Sequence, residues 1–144
     1  MTRVKKIKLI LDDEIEFPII GISSALSDYR LAWELNTHLD LSFQKGEDCF
    51  NLPNKSKDLM AYEYYIHENE DDFSKFFLVK NKQKASTLFT QNEKLDFFLI
   101  LRENYAYTTE DLILELRKVN GIVAVFSFTS NNFLCRKCIY FYYW

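Results

Sequence analysis

Two cysteines near the end of the chain have the spacing of a metal or redox motif. Cys135 and Cys138 form a C-x-x-C pair, which can supply half of a zinc site or a dithiol–disulfide couple. A structural zinc site needs four ligands, and the remaining candidates, Cys49, His38 and His67, are scattered at no recognisable spacing. A redox pair belongs at the start of a helix, whereas the residues around this pair are aromatic and strand-like. The pair is therefore only a weak metal candidate. We predict ordinary side chains in a terminal strand, no metal and no cofactor.

Two serines at a predicted strand-to-helix junction suggest a hydrolase hypothesis. Ser23 has Gly21 two residues before it and Ala25 two residues after it, a partial match to the spacing of a nucleophile elbow. One of the two histidines would have to serve as the base. Helix capping explains Ser23 and Ser24 without further assumptions, so catalysis is the third hypothesis and no catalytic residue is assigned.

The composition also argues against reaction chemistry. The 144 residues include only 3 glycines and 2 histidines, which leaves little material for phosphate-binding glycine loops or histidine-based sites. Hydrophobic residues make up 48% of the chain and charged residues 27%, which is typical of one globular domain. We therefore expect a protein that folds and is not an enzyme.

Charge and cysteine content indicate the compartment and the class of partner. The formal net charge of −3 is too weak for long-range attraction to nucleic acid or anionic lipid. The first apolar run, 7–11, is interrupted by Lys8 and closed by acidic residues, unlike a secretory signal. No stretch reaches the roughly 20 apolar residues of a membrane span. Three cysteines cannot form an even disulfide framework. We expect a cytoplasmic protein that does not bind membranes.

Hydrophobic periodicity predicts the elements that must position any site. Strands are predicted at 4–11, 17–22, 41–43, 59–66, 73–79, 95–101 and 122–128, with a weaker one at 85–89, and helices at 25–39 and 108–119. Ser24 or Ser27 is the expected cap of the first helix, and Gly121 the stop after the second. The acidic segment 67–72 is predicted as a solvated hairpin tip. The whole chain, 1–144, is predicted to be a single α+β domain with a mainly antiparallel sheet, two helices packed on it, and an aromatic terminal strand or tail at 129–144.

Two segments resemble a known family. Residues 20–36, IGISSALSDYRLAWELN, look like the N-terminal signature of the IPExxxVDY family, small bacterial proteins found mainly in Bacteroidetes. The eponymous motif falls on residues 89–97, FTQNEKLDF, where Asp96 is the strict match. The resemblance implies a one-domain cytosolic bacterial protein, and the family has no established activity, cofactor or catalytic residue to transfer to this chain.

Asp96 is the residue in these segments with the clearest electrostatic requirement. A carboxylate inside an apolar strand needs a cation or several donors to offset its desolvation, and Arg30 is the candidate partner. The alternative interpretation is a solvent-exposed Asp96 at a strand end, with Arg30 on a wet helix face.

The leading functional hypothesis is a non-catalytic regulatory or protein-interaction module. The predicted partner is another protein or a second copy of the chain, and the candidate contact residues are Ser24, Asp28, Arg30, Trp33 and Asp96, with the tail as a further surface. The alternative is an RNA-associated accessory protein, because aromatic residues make up 17% of the chain and tyrosines such as Tyr62, Tyr64 and Tyr65 could stack on bases. The acidic balance disfavours that alternative.

Overall fold

One six-stranded antiparallel sheet has hydrophobic side chains on both of its faces. The computed structural model describes residues 17–53, 59–83, 86–89 and 93–129. Its elements, in chain order, are β1 Pro18–Ser24, α1 Asp28–Leu39, β2 Gln44–Lys45, β3 Phe50–Pro53, β4 Leu59–Tyr62, β5 Tyr64–Asn69, β6 Ser74–Lys80, β7 Lys82–Gln83, β8 Ser86–Thr87, β9 Phe97–Asn104, α2 Thr109–Leu116 and β10 Ile122–Thr129. The strand order is β10-β1-β9-β6-β5-β2, and all neighbouring pairs are antiparallel. The predicted α+β class, with a mainly antiparallel sheet and two helices in the described part of the chain, is confirmed.

The central strand β9 is a continuous apolar run because both of its faces are buried. Phe97, Leu99 and Leu101 belong to the core on the helix side of the sheet, whereas Phe98 and Ile100 belong to a second core on the opposite side. Each of the five is at most 1% exposed. Alternation of polar and apolar residues marks a sheet with one wet face, so its absence here follows from burial on both faces.

The two helices cover one face and begin at capped residues. The Ser27 side chain accepts a hydrogen bond from the Arg30 backbone N–H, and that of Thr108 accepts one from Asp111. The first helix therefore starts at Asp28, three residues later than predicted. Within the described residues, neither helix has the length and apolar character needed to cross a bilayer.

The opposite face of the sheet is covered by the β3–β4 hairpin and the segment 88–89. Phe50 and Tyr62 come from the hairpin, Leu88 and Phe89 from the segment, and all four are about 1% exposed. The prediction of helices packed on a sheet did not include this layer. Tyr62 and Tyr64, which the sequence offered as stacking residues for an RNA-associated protein, are both buried in the second core.

The predicted strand 59–66 is two strands in different sheets. The strand is interrupted at Glu63. The Glu63 backbone N–H donates to Gln83 Oε1 at 2.7 Å, and its carbonyl accepts from Gln83 Nε2 at 2.9 Å. Because the Gln83 amide replaces ladder partners, β4 pairs with β3 while β5 joins the six-stranded sheet.

The segment 41–43 is not a strand, although it was predicted as one. The Asn36 side chain on α1 accepts from the Phe43 N–H at 2.7 Å and donates to its carbonyl at 3.0 Å. A side chain thus satisfies backbone groups that a neighbouring strand would otherwise satisfy. The predicted strand 4–11 and the aromatic tail beyond Thr129 lie outside the described residues.

Strand β10 contains an irregularity that the predicted alternation missed. Its register with β1 shifts so that Ser23 pairs with Ala124 but Ser24 pairs with Ile122, which leaves Val123 between paired residues. Ile122 and Val125 consequently both contact the helix-side core. An extra residue in one strand reverses the side-chain pattern beyond it.

Candidate functional site

Two predicted contact residues, Ser24 and Asp96, lie together inside the fold. The Ser24 backbone N–H donates to Asp96 Oδ2 at 2.8 Å, and the Asp96 N–H donates to the Ile22 carbonyl at 3.0 Å. The Ser24 hydroxyl donates to the Gly121 carbonyl at 2.7 Å and accepts from the Leu26 N–H at 3.1 Å. Ser24 is only 5% exposed. These bonds connect the end of β1 with the residues before β9 and before β10, which is a positioning role.

Arg30 does not pair with Asp96. Its guanidinium binds Glu34 one helical turn along α1, with Nη2 and Oε1 3.0 Å apart, and its Cζ lies 4.7 Å from the Trp33 ring centroid. The carboxylate of Asp96 is instead bound by the Ser24 backbone amide. The sequence suggested a cation as the partner of this carboxylate, and a backbone N–H is its partner instead.

Arg30 and Trp33 are exposed on α1, and Asp28 is half-buried at its first turn. Asp28 Oδ1 accepts from the Tyr29 N–H at 2.7 Å, and both Tyr29 and Trp33 are exposed. Burial, followed by the charge of Asp28, raises the pKa of Tyr65 above its usual value. The structure thus joins buried Ser24 and half-buried Asp96 in one contact and leaves Arg30 and Trp33 exposed on α1.

A different part of the molecule contains a concave surface with exposed aromatic side chains. This feature, the sheet-end groove, is an open groove of about 740 Å³ where β1 begins, β9 ends and α2 begins. Its lining includes Phe17, Phe73, Glu103, Tyr105, Tyr107 and Glu110. Phe73 is 63% exposed and Tyr105 is 82% exposed, and their ring centroids lie 6.3 Å apart at an interplanar angle of 82°. The two rings form adjoining walls that meet nearly at a right angle.

Phe73 is held in an unusual backbone conformation. It is the last residue of the four-residue loop between β5 and β6, and its φ is +54°. The left-handed region suits Gly, Asn or Asp, and a bulky residue there costs about 1 kcal/mol or more. The strained loop residue is therefore also a largely exposed aromatic residue.

A hydrogen-bonded chain supports the base of this loop. The Ser42 backbone N–H donates to His67 Nδ1 at 3.1 Å. Because Nδ1 accepts this bond, the neutral ring carries its proton on Nε2, which lies 3.0 Å from Ser74 Oγ. Ser74 Oγ then donates to Asp72 Oδ1 at 2.6 Å. His67 is 3% exposed, so the prediction that it belongs to a solvated hairpin tip is wrong. It lies in β5, with its ring centroid 5.2 Å from that of Phe76.

Electrostatic effects follow from this arrangement. Burial lowers the pKa of His67 below its ordinary value, and the carboxylates of Asp72 and Glu68 offset part of that effect. Burial raises the pKa of Tyr107 in the groove, with a further contribution from Asp72. Tyr107 therefore stays a neutral hydroxyl at physiological pH.

Both histidines have partners other than the serines of the hydrolase hypothesis. His67 contacts Ser42 and Ser74, and His38 Nε2 lies 3.4 Å from Glu115 Oε2. Among the described residues, no three His, Cys, Asp or Glu side chains come together as metal ligands. Cys135 and Cys138 lie outside those residues, so the prediction for that pair stays open.

Comparison with known proteins found no matching family model and no curated relative.

Sequence reasoning missed the sheet-end groove because its residues come from the ends of several predicted elements and from a connection between them. The acidic tip was interpreted as solvated, with an acidic cation site as the alternative that its lack of glycine disfavours, and the connection 102–107 received no assignment. The available signal was the placement of aromatic residues in loops, namely Phe73 after two aspartates and Tyr105 between a strand and a helix. Large aromatic side chains in polar loops are either core anchors or contact residues, and only the fold distinguishes the two.

Proposed function

We propose that this protein is a non-catalytic interaction module that binds a segment of another protein in the sheet-end groove. The observation that carries the proposal is the exposure of Phe73 and Tyr105 on adjoining walls of one concave surface. Tyrosine and phenylalanine are enriched in interface cores because they bury large areas with few rotatable bonds. Two rings left in water contribute no hydrophobic stabilisation, whereas a bound ligand would bury the apolar surface of both.

The groove also offers polar groups that fix the orientation of a bound chain. The hydroxyl of Tyr107 and the carboxylates of Glu103 and Glu110 line it beside the rings. A mixture of aromatic walls and a few polar groups is typical of peptide-binding sites. An extended segment fits such an open groove better than a small molecule, which needs enclosure.

This proposal includes a cytoplasmic location and excludes RNA as the main ligand. Carboxylates around the groove would repel a phosphate backbone. Membership of the IPExxxVDY family remains part of the proposal, and the contact between Ser24 and Asp96 places the two resembling segments side by side.

Selection of random dodecapeptides displayed on phage tests the proposal without assuming a ligand charge. We expect the full chain to enrich peptides whose binding is weakened when Tyr105→Ala replaces the wild type. Tyr29→Ala is the matched control, because Tyr29 is a 68% exposed tyrosine on α1, away from the groove lining. Enriched peptides that bind the Tyr105→Ala protein as well as the wild type would refute the groove as the binding site, and so would the absence of any enrichment.

A further inference from the structure

We infer that the ligand of the sheet-end groove is a positively charged peptide segment, with a Lys or Arg side chain seated against Phe73 and Tyr105. This inference rests on the proposed function and adds the chemical class of the ligand. Two features of the molecule support it, namely the distribution of charge along the chain and the exposure of the two rings.

Two acidic segments, one containing Phe73 and one supplying most of the groove lining, together carry more net negative charge than the whole chain. Residues 68–75 and 102–111 contain seven carboxylates and two cations, a formal charge of −5, whereas the whole chain carries −3. The remainder of the protein is therefore slightly positive. The acidic members are Glu68, Glu70, Asp71, Asp72, Glu103, Glu110 and Asp111.

The sheet brings these segments together at one end of the molecule. Ser74 pairs with Asn104 and Lys75 pairs with Glu103 across β6 and β9. The loop before β6 and the connection after β9 are consequently neighbours, as the contact between the Phe73 and Tyr105 rings also shows. Glu103 and Glu110 line the groove together with Arg102, and the other carboxylates lie on the two segments that carry the exposed rings.

The two cations of these segments already have acidic partners. Lys75 Nζ lies 3.9 Å from Glu68 Oε2, and Arg102 Nη1 lies 3.5 Å from Glu103 Oε1. The five other carboxylates exceed the local cations, so the surplus is available to a cationic ligand. The positive end of α2 also faces the groove, but Glu110 and Asp111 in its first turn counter it.

The aromatic pair adds a specific contact to this long-range attraction. A cation over the face of Tyr or Phe is attracted by the ring quadrupole, and both rings are exposed enough for a ligand cation to reach a ring face. Carboxylates alone would bind any counterion. Rings and carboxylates together select a Lys or Arg side chain on a chain that can lie in the groove.

Fluorescence anisotropy with defined nonapeptides tests the inference. The probe is a fluorescein-labelled Gly/Ser peptide with Lys at four alternate positions, and the matched peptides carry Gln, norleucine or Glu at those positions. We expect the Lys peptide to bind the full chain at least tenfold tighter than the Gln peptide. We also expect its affinity to fall steeply between 50 and 500 mM NaCl.

Variants separate the ring contact from the charge. Tyr105→Ala should weaken the Lys peptide about three- to fivefold, as expected for the loss of an exposed cation–π contact, while Tyr29→Ala leaves the affinity unchanged. Equal binding of the Lys and Gln peptides, or of the wild type and the Tyr105→Ala protein, would overturn the inference. A peptide with the sequence of residues 130–144, its two cysteines changed to serine, is the competing occupant. If it binds tighter than the Lys peptide, the ligand is a segment of this chain and the inference falls.

The outcomes distinguish this inference from the proposed function. Tight binding of the norleucine peptide that requires Tyr105 but is unaffected by salt would preserve a peptide-binding groove and refute cation selectivity. Absence of binding by every peptide here, together with no enrichment on phage, would refute both.

Discussion

Asn81 is the buried polar residue that joins the most segments of the second core. It is 0% exposed, its Nδ2 donates to the Leu95 carbonyl at 2.9 Å, and its Oδ1 accepts from the Phe89 N–H at 2.9 Å. Its backbone N–H donates to the Asp96 carbonyl at 2.9 Å. We expect Asn81→Ala to lower the free energy of unfolding by about 2–4 kcal/mol, because it leaves two buried backbone groups without these partners. Urea denaturation measures the change.

The matched control is Asn120→Ala, at an exposed position between α2 and β10. It should change the free energy of unfolding by less than about 0.5 kcal/mol. An Asn81→Ala protein as stable as the control would mean that water replaces the amide and that Asn81 does not hold the second core together.

His67 makes the stability of the fold depend on pH. Its Nδ1 accepts a hydrogen bond from the Ser42 backbone N–H, so a proton on Nδ1 would replace that bond by repulsion between two N–H donors. Because burial lowers its pKa in the folded state, the unfolded chain takes up the proton first as the pH falls. The stabilisation is complete above about pH 6.5 and is lost as the pH falls from there through the folded-state pKa, with a slope of at most about 1.4 kcal/mol per pH unit.

Chemical denaturation at pH 7.5, 6.5 and 5.5 measures this slope. His67→Gln removes the titrating group and should flatten the profile, although the variant is less stable throughout. His38→Gln, on the exposed side of α1, should keep the slope of the wild type. An unchanged profile in the His67→Gln protein would assign the pH dependence to other groups.

The hairpin between β5 and β6 shows how an element stores strain at a contact surface. Phe73→Asn and Phe73→Ala both remove the ring, but only asparagine tolerates a φ of +54° well. We expect the asparagine variant to be more stable than the alanine variant by about 0.5–1 kcal/mol, while both bind the peptide more weakly than the wild type. Thermal denaturation of the two proteins measures the difference, and equal stabilities would show that the loop relaxes without cost.

The elements also show what the sequence could and could not predict. The second helix, 108–119 in the prediction, was located because a cap and acidic residues mark its start, and the structure begins it at Thr109 after the Thr108 cap. It ends at Leu116 with Arg117 as the C-cap, so the prediction that Gly121 stops it is wrong. The strand at 59–66 was predicted as one element because nothing local indicates that Gln83, twenty residues further on, binds the backbone of Glu63. Local patterns define elements with local causes, whereas a distant side chain decided this break.

The candidate site had the same limitation at a larger scale. Ser24 and Asp96 were both selected from the sequence, and they are in contact. The contact is made by the Ser24 backbone N–H, which is present in every residue except proline and therefore cannot be predicted from residue type. The sheet-end groove depends on β6 pairing with β9, which brings Phe73 to Tyr105 across thirty-two positions of sequence. Its residues became a site only through the topology of the sheet.

At the scale of the whole molecule, the concentration of negative charge at one end should oppose stability and favour binding. Glu70→Lys at the exposed hairpin tip reduces repulsion among the carboxylates of the acidic segments, so we expect the free energy of unfolding to rise by about 0.5 kcal/mol at 20 mM salt and by less at 500 mM. The same substitution should weaken the Lys nonapeptide severalfold. Glu47→Lys makes an identical change at an exposed position outside both acidic segments, and should leave peptide affinity nearly unchanged. Urea denaturation and anisotropy on the three proteins measure both quantities. If the two substitutions weaken the peptide equally, only the total charge of the protein matters and its distribution around the groove does not.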